Sequence, residues 1–224
     1  DAIENPSRID GLFIERAMIR ANDHLSILSA EAPINAPLLT DGSAFVQLVE
    51  EFRQAFEITV IDLPRNMLIN FPHILTDVNV IIIATEMTLA AARDSIRLLA
   101  WIRSNAPHAQ VLVVANKVHQ GITEISKADF EASIERKINF MVPFDIKSAA
   151  NAAKLGQAFI DANRSSRAGS AIRDVAKAVL GIAEEETSDN AAPTAEKKSL
   201  LGKIDLKSIL PAKKAKGKAP AEAL

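Results

Sequence analysis

Short apolar runs alternate with longer stretches in which apolar residues recur every three or four positions, and this alternation is the main structural signal in the chain. Leu25 to Leu28 reads as a short strand. Asp41 to Phe56 reads as a helix: Asp41 can cap its start, and Phe45, Leu48, Val49, Phe52 and Phe56 share one face. The run from Ile58 to Asp62 predicts a strand, followed by a helical stretch to Leu75 and the strand Val78 to Ala84. Thr88 can cap a helix reaching Asn105, in which Ala92, Ile96, Leu99 and Ile102 keep helical spacing. Val111 to Ala115 is apolar throughout, as a strand buried on both faces of a parallel sheet must be. Lys127 to Arg136 reads as a helix, Ile138 to Val142 as a strand, and Ala149 to Phe159 and Ala171 to Ile182 as closing helices. Strands alternating with crossover helices predict an α/β fold with a mostly parallel sheet flanked by helices.

Beyond residue 183 the pattern stops, which divides the chain into a domain over 1–183 and a tail over 184–224. Glu184 to Pro193 is acidic, alanine-rich and poor in core residues, the composition of a disordered linker. Lys197 to Lys218 holds eight lysines against one aspartate, with Leu200, Leu201, Ile204, Ile209 and Leu210 able to form one apolar helix side. Two readings stay open for it: a solubilising disordered end, or a short amphipathic anchor for anionic lipid or an assembly partner. Each lysine near a membrane surface contributes about 1 kcal/mol.

Composition narrows the function classes. With 48% apolar residues in 224 there is material for a substantial core, and a net charge of −2 gives no general attraction to nucleic acid. No cysteine is present, so disulfides and thiolate metal sites are excluded, which suits the cytoplasm. The four histidines, at 24, 73, 108 and 119, have no metal-ligand spacing and read as surface or loop residues, so no metal site is predicted. No apolar run approaches the roughly 20 residues needed to span a bilayer. Arg53, Arg93, Arg97 and Arg103 read as solvated helix faces, with a partner or nucleic-acid surface as the alternative, and Trp101 as packing rather than a binding hot spot. Aromatic residues total 4% with no tyrosine, and no base-stacking platform for nucleic acid stands out. The chain opens on Asp1 without a signal-peptide pattern and reads as a fragment or a processed product.

Candidate chemistry sits at strand ends, because open α/β sheets bind ligands outside the carboxyl ends of their strands. Three predicted strands end in polar punctuation: Asp62-Leu63-Pro64, Asn116-Lys117 and Pro143-Phe144-Asp145. An aspartate at the first place can hold a magnesium-bound water or sense a terminal phosphate; it is equally a plain turn aspartate. Asn116 offers a donor and an acceptor that match a purine edge, or is simply a strand-end turn residue. A proline-containing loop can wall a base. The phosphate half of such a site is missing: the glycines stand at 11, 42, 121, 156, 169, 181, 202 and 217, and none gives the Gly-x4-Gly-Lys-Ser/Thr spacing.

Taken in order, Leu25-Ser26-Ile27-Leu28-Ser29-Ala30, Val60-Ile61-Asp62-Leu63-Pro64, Val111 to Lys117, and Pro143-Phe144-Asp145 with Gly156 resemble the later two-thirds of a MinD/ParA-type deviant-Walker ATPase. Glu4 to Phe13, Leu25 to Pro33 and Asp62-Leu63-Pro64-Arg65 are similar to the CpaE/TadZ branch, the pilus assembly proteins of the Flp/Tad system. The resemblance spans residues 1–183 and implies a P-loop NTPase-like fold lacking its N-terminal strands. It also implies a cytoplasmic, polar or membrane-associated homodimer that positions or assembles the Tad pilus and secretion machinery, with no nucleic acid bound. ATP and Mg²⁺ are implied for the full-length family member. By position Asp62 would be the switch aspartate near the phosphates and Mg²⁺. Asn116 would read adenine, and Pro143 and Asp145 would lie in the base loop. The phosphate loop would precede Asp1, on a strand beside the one ending at Asp62. Its loss would leave unpaired strand edges, and this chain alone is expected neither to bind ATP well nor to hydrolyse it. The alternative is an active ParA/MinD-type ATPase for DNA partition or cell-division positioning. The tail has a precedent only by analogy, in the C-terminal amphipathic helix of MinD-type relatives.

Overall fold

A computed structural model describes residues 6–29, 40–119, 121 and 123–189. Contacts divide the chain into units Asp1–Ala183 and Glu184–Leu224, and the architecture below is that of the first. A 3-10 turn, Pro6–Arg8, leads into α1, Gly11–Ala17, capped by Asp10 through a 2.7 Å bond from the Phe13 N–H. Strands β1 (Ile19–Asn22) and β2 (Leu25–Ile27) form an antiparallel two-stranded hairpin of their own. The strand expected at Leu25 therefore exists but stands outside the parallel sheet. Residues 4, 5 and 30–33 of the resembling segments lie outside the described residues.

Helix α2, Ser43–Ala55, buries Ala44 and packs Leu48, Phe52 and Phe56 against Ile9 and Ile14 of the N-terminal elements. Its cap is Gly42; Asp41 instead accepts from the Ser43 amide and hydroxyl, which hold its carboxyl below the usual range. Next come α3, Arg65–Asn70, and the 3-10 turn Pro72–Leu75.

The central sheet has three parallel strands in the order β3 (Val80–Thr85), β4 (Gln110–Val118), β5 (Phe140–Pro143). Helix α4, Leu89–Asn105, crosses from β3 to β4 with Thr88 as its cap, and α5, Lys127–Ile134, from β4 to β5 with Ser126 as its cap. Of the four α4 residues predicted to face the core, Ala92, Leu99 and Ile102 are buried but Ile96 is exposed, its place on the inner face taken by Ser95. The Ser95 hydroxyl lies 3.3 Å from that of Thr85 at the end of β3, so two small polar groups satisfy each other under the helix. Trp101 packs against this core, as expected. Helices α6 (Ile146–Leu155), α7 (Phe159–Ala162) and α8 (Arg167–Asp189) close the unit. Helix α8 runs through the first six residues of the stretch expected to be a linker, where Glu184, Glu185 and Glu186 favour continuing the helix. The lysine-rich tail lies outside the described residues.

The strand expected from Ile58 to Asp62 does not form. Residues 56–64 carry no regular structure, and Val60 is 86% exposed. Strand propensity at Ile58, Thr59, Val60 and Ile61 needs a neighbouring strand to be realised, and among the described residues no backbone bond from 57–63 reaches another strand. Among the described residues no strand pairs with the outer edge of β3. Leu63 packs on the core, and Arg65 pairs with Asp94 of α4 at 2.9 Å, so only the end of the run is anchored.

Asn139 joins β5 to β4 before regular pairing begins. Its amide donates to the Val113 carbonyl at 2.9 Å, and its side-chain oxygen accepts from the Val113 N–H at 2.8 Å. Val113 is fully buried, so Asn139→Ala leaves that N–H without its partner. A loss of about 1–3 kcal/mol is expected, read as a lower urea midpoint at unchanged slope.

Glu131, nearly buried on α5, accepts from the Lys137 ammonium at 2.9 Å and from the Ile138 N–H at 2.9 Å, with Lys127 at 3.8 Å. The Lys137 hydrogen bond first, then that from Ile138, holds its carboxyl below the ordinary glutamate value. A lowered folded value stabilises the fold fully above the unfolded value and ceases to do so as pH falls through the folded one. Between about pH 5 and pH 3 the melting temperature is therefore expected to fall more steeply for the natural protein than for Glu131→Gln.

Candidate functional site

The polar punctuation predicted at the strand ends meets at the carboxyl edge of the sheet for two of its three members. Strand β4 pairs with β5 through Ala115 with Met141 and then Val118 with Pro143. Two residues, Asn116 and Lys117, thus stand opposite the single Val142, which is a β-bulge, a device common beside functional sites. Lys117 has φ 51, in the left-handed region that disfavours a side chain. The Asn116 side-chain oxygen accepts from the Lys117 N–H at 2.9 Å, and the Lys117 ammonium reaches Glu86, just beyond β3, at 2.8 Å. Both charges of that pair are half-exposed, so it orders the edge more than it stabilises the fold.

Asn116 is exposed at this edge. Pro143 is the last residue of β5 and lies opposite Val118. Asp145 caps α6: its carboxylate accepts from the Ser148 N–H at 3.0 Å, and bonding to Ser148 holds its pKa below the usual range. Asp62 is exposed on the irregular segment before α3, and among the described residues no side-chain hydrogen bond or ion pair engages it. The structure therefore brings Asn116, Pro143 and Asp145 to neighbouring strand ends and leaves Asp62 on the separate, unpaired segment.

One feature of the edge escapes sequence reasoning. His119, just after β4, and Phe144, just after β5, place their rings 4.4 Å apart at 34°. Phe144 is 43% exposed, and its backbone N–H is pinned to the Val118 carbonyl at 3.0 Å. The residues are 25 positions apart in sequence, and only the parallel pairing of β4 with β5 unites them.

Asn116 can bond a base edge, but the described residues contain no glycine-rich phosphate cradle, and no group of three or more metal-ligating side chains occurs among them. No described helix is long and apolar enough to cross a membrane.

No family model and no curated protein matches the chain. Solved structures do. A ParA family ATPase from Chlorobium tepidum TLS superposes with a TM-score of 0.66 at 15% identity, over 78% of this chain and 72% of the other. The MinD cell division protein of Aquifex aeolicus gives 0.61 at 17% identity, over 87% and 81%. The Pyrococcus furiosus cell division ATPase MinD gives 0.59 at 15%, over 78% and 70%. At such identities the likeness is one of fold: this is an α/β chain, its parallel sheet flanked by helices, with the P-loop NTPase fold of the ParA and MinD ATPases.

Proposed function

We propose that the protein is an assembly and localisation factor of the Flp/Tad pilus, built on a ParA/MinD-type nucleotide-binding fold. The observation that carries the nucleotide part is the bulged carboxyl edge, where Asn116, Pro143 and Asp145 stand on adjacent strand ends in a fold shared with ParA and MinD ATPases. The pilus part rests on the segments at 4–13, 25–33 and 62–65, whose residues resemble the CpaE/TadZ branch. The exposed run before Asp62 and the open edge of β3 favour a further strand between them, which would carry the phosphate loop. In this reading ATP and Mg²⁺ bind when that loop is present, with Asp62 at the phosphate end and Asn116 at the adenine. The protein acts as a homodimer on Tad components, at a cell pole or on the membrane surface through 197–218.

Removing the gene should abolish surface pili and leave chromosome and plasmid segregation normal. Normal piliation with failed segregation would overturn the pilus reading in favour of a partition ATPase. In protein carrying its phosphate loop, Asn116→Ala and Asp62→Ala should each weaken ATP binding, measured by calorimetry, by about tenfold or more. Unchanged affinity in both would remove the site assignment.

A further inference from the structure

We propose that the groove between the first 3-10 turn and α1 is a docking site for an acidic peptide segment of a partner protein, one that carries a large apolar residue near a carboxylate. The site is remote in sequence from the sheet edge and does not depend on nucleotide. A cavity of about 500 Å³ opens there, lined by Arg8, Asp10, Leu12, Phe13, Arg16 and Ala17. Leu12 and Arg16 stand one turn apart on α1, as do Phe13 and Ala17, so two neighbouring rows of the helix form one side of the groove. Arg8 enters from the 3-10 turn, outside the helix. Phe13 also packs against the cluster of Ile9, Ile14 and Ala44, which gives the groove a fixed apolar floor.

Charge decides the occupant. Arg8 and Arg16 are exposed and have no ion pair among the described residues, whereas Arg20, Arg53 and Arg65 each pair with an aspartate. The one lining carboxylate, Asp10, accepts the Phe13 N–H at 2.7 Å as the cap of α1. Two guanidiniums against one carboxylate leave the groove net positive, and a guanidinium fork matches a carboxylate. A lone exposed leucine is ordinary, but Leu12, 53% exposed, shares this concave surface with both arginines. A single net charge over an apolar floor suits an apolar side chain with a carboxylate near it. A lipid surface or a nucleic acid instead rewards many cations at once. In an extended peptide, side chains on one face are about 6.5 Å apart, close to the rise of about 6 Å from Leu12 to Arg16. A leucine set on Leu12 and Phe13 therefore brings a glutamate two residues away to Arg16.

The probe is the capped peptide acetyl-Glu-Ser-Leu-Ser-Glu-amide, titrated into the present chain and followed by NMR. It should shift the backbone amide signals of residues 8–17 saturably. Glutamine in place of both peptide glutamates, or Arg16→Gln in the protein, should each raise the dissociation constant roughly 3- to 10-fold. Arg16 is exposed, so the melting curve of the variant should match that of the natural sequence. Weaker binding in both arms supports the proposal. Equal affinity for the two peptides overturns carboxylate recognition, and unchanged affinity in both Arg8→Gln and Arg16→Gln overturns the groove as its seat. No saturable shift with the peptide overturns the proposal outright. If phosphatidylglycerol vesicles or a DNA duplex shift the same amides where the peptide does not, the groove serves a membrane or nucleic acid and the peptide assignment falls.

Discussion

Phe130→Ala is expected to destabilise the protein by about 3–5 kcal/mol, the largest effect of any single truncation proposed for this chain. Phe130 is fully buried on α5, in the cluster that joins Leu99 and Ile102 of α4 to Val113 and Ala115 of the central strand. Removing the ring deletes its transfer free energy and leaves a cavity between two helices and a sheet, none of which can close on it without disturbing the others. Against a typical total of about 5–15 kcal/mol, that loss is a large fraction of the stability. Phe130→Leu should retain most of it, with a loss below about 2 kcal/mol. Urea unfolding followed by far-UV circular dichroism distinguishes the two: a lower midpoint at constant slope is expected for alanine, and a midpoint within experimental error of the natural one would contradict the core assignment.

Gly42→Ala acts through a different mechanism and is expected to be nearly as severe. Gly42 caps α2 with φ 88, where an L side chain adds about 1–2 kcal/mol of backbone strain. An added Cβ would also fall 2.5 Å from His73 Cε1 and 2.8 Å from Phe71 Cδ1, too close for either ring to remain in place. His73 is there for a reason, since its Nε2 lies 3.2 Å from the Gly42 carbonyl oxygen, so displacing the imidazole breaks that contact as well. Strain and overpacking together give about 2–4 kcal/mol. Adding His73→Ala to Gly42→Ala should recover part of the packing loss and none of the backbone strain, and double-mutant melting curves separate the two. Additive losses would show that the ring and the new methyl group never meet.

The parallel sheet was legible because its strands are self-declaring. Val111 to Ala115 is apolar at every position, and Thr88 and the apolar repeat to Leu99 and Ile102 mark α4 without reference to anything distant. Helix α1 carried the same kind of signal in Asp10, whose side chain caps it, but at seven residues its apolar repeat was too brief to stand out. The run at 58–62 failed for the opposite reason: four β-branched residues in a row specify a strand only where another strand is present to pair with. At the site, the strand-end residues Asn116, Pro143 and Asp145 were readable from their position after apolar runs. The bulge was not, because it exists only as a mismatch between two strands, and neither was the meeting of His119 with Phe144.

The exposed segment before α3 bears on how molecules of this protein meet one another. Ile58, Thr59, Val60 and Ile61 are bracketed by Glu57 on one side and by Asp62, Pro64 and Arg65 on the other. Charges and a proline flanking an exposed β-branched run are gatekeepers: they make it unfavourable for the same run in another molecule to lie alongside. Asp62 is thus expected to oppose self-association through this exposed run. Asp62→Ala is therefore expected to register in colloidal behaviour, as light scattering that grows more steeply with concentration.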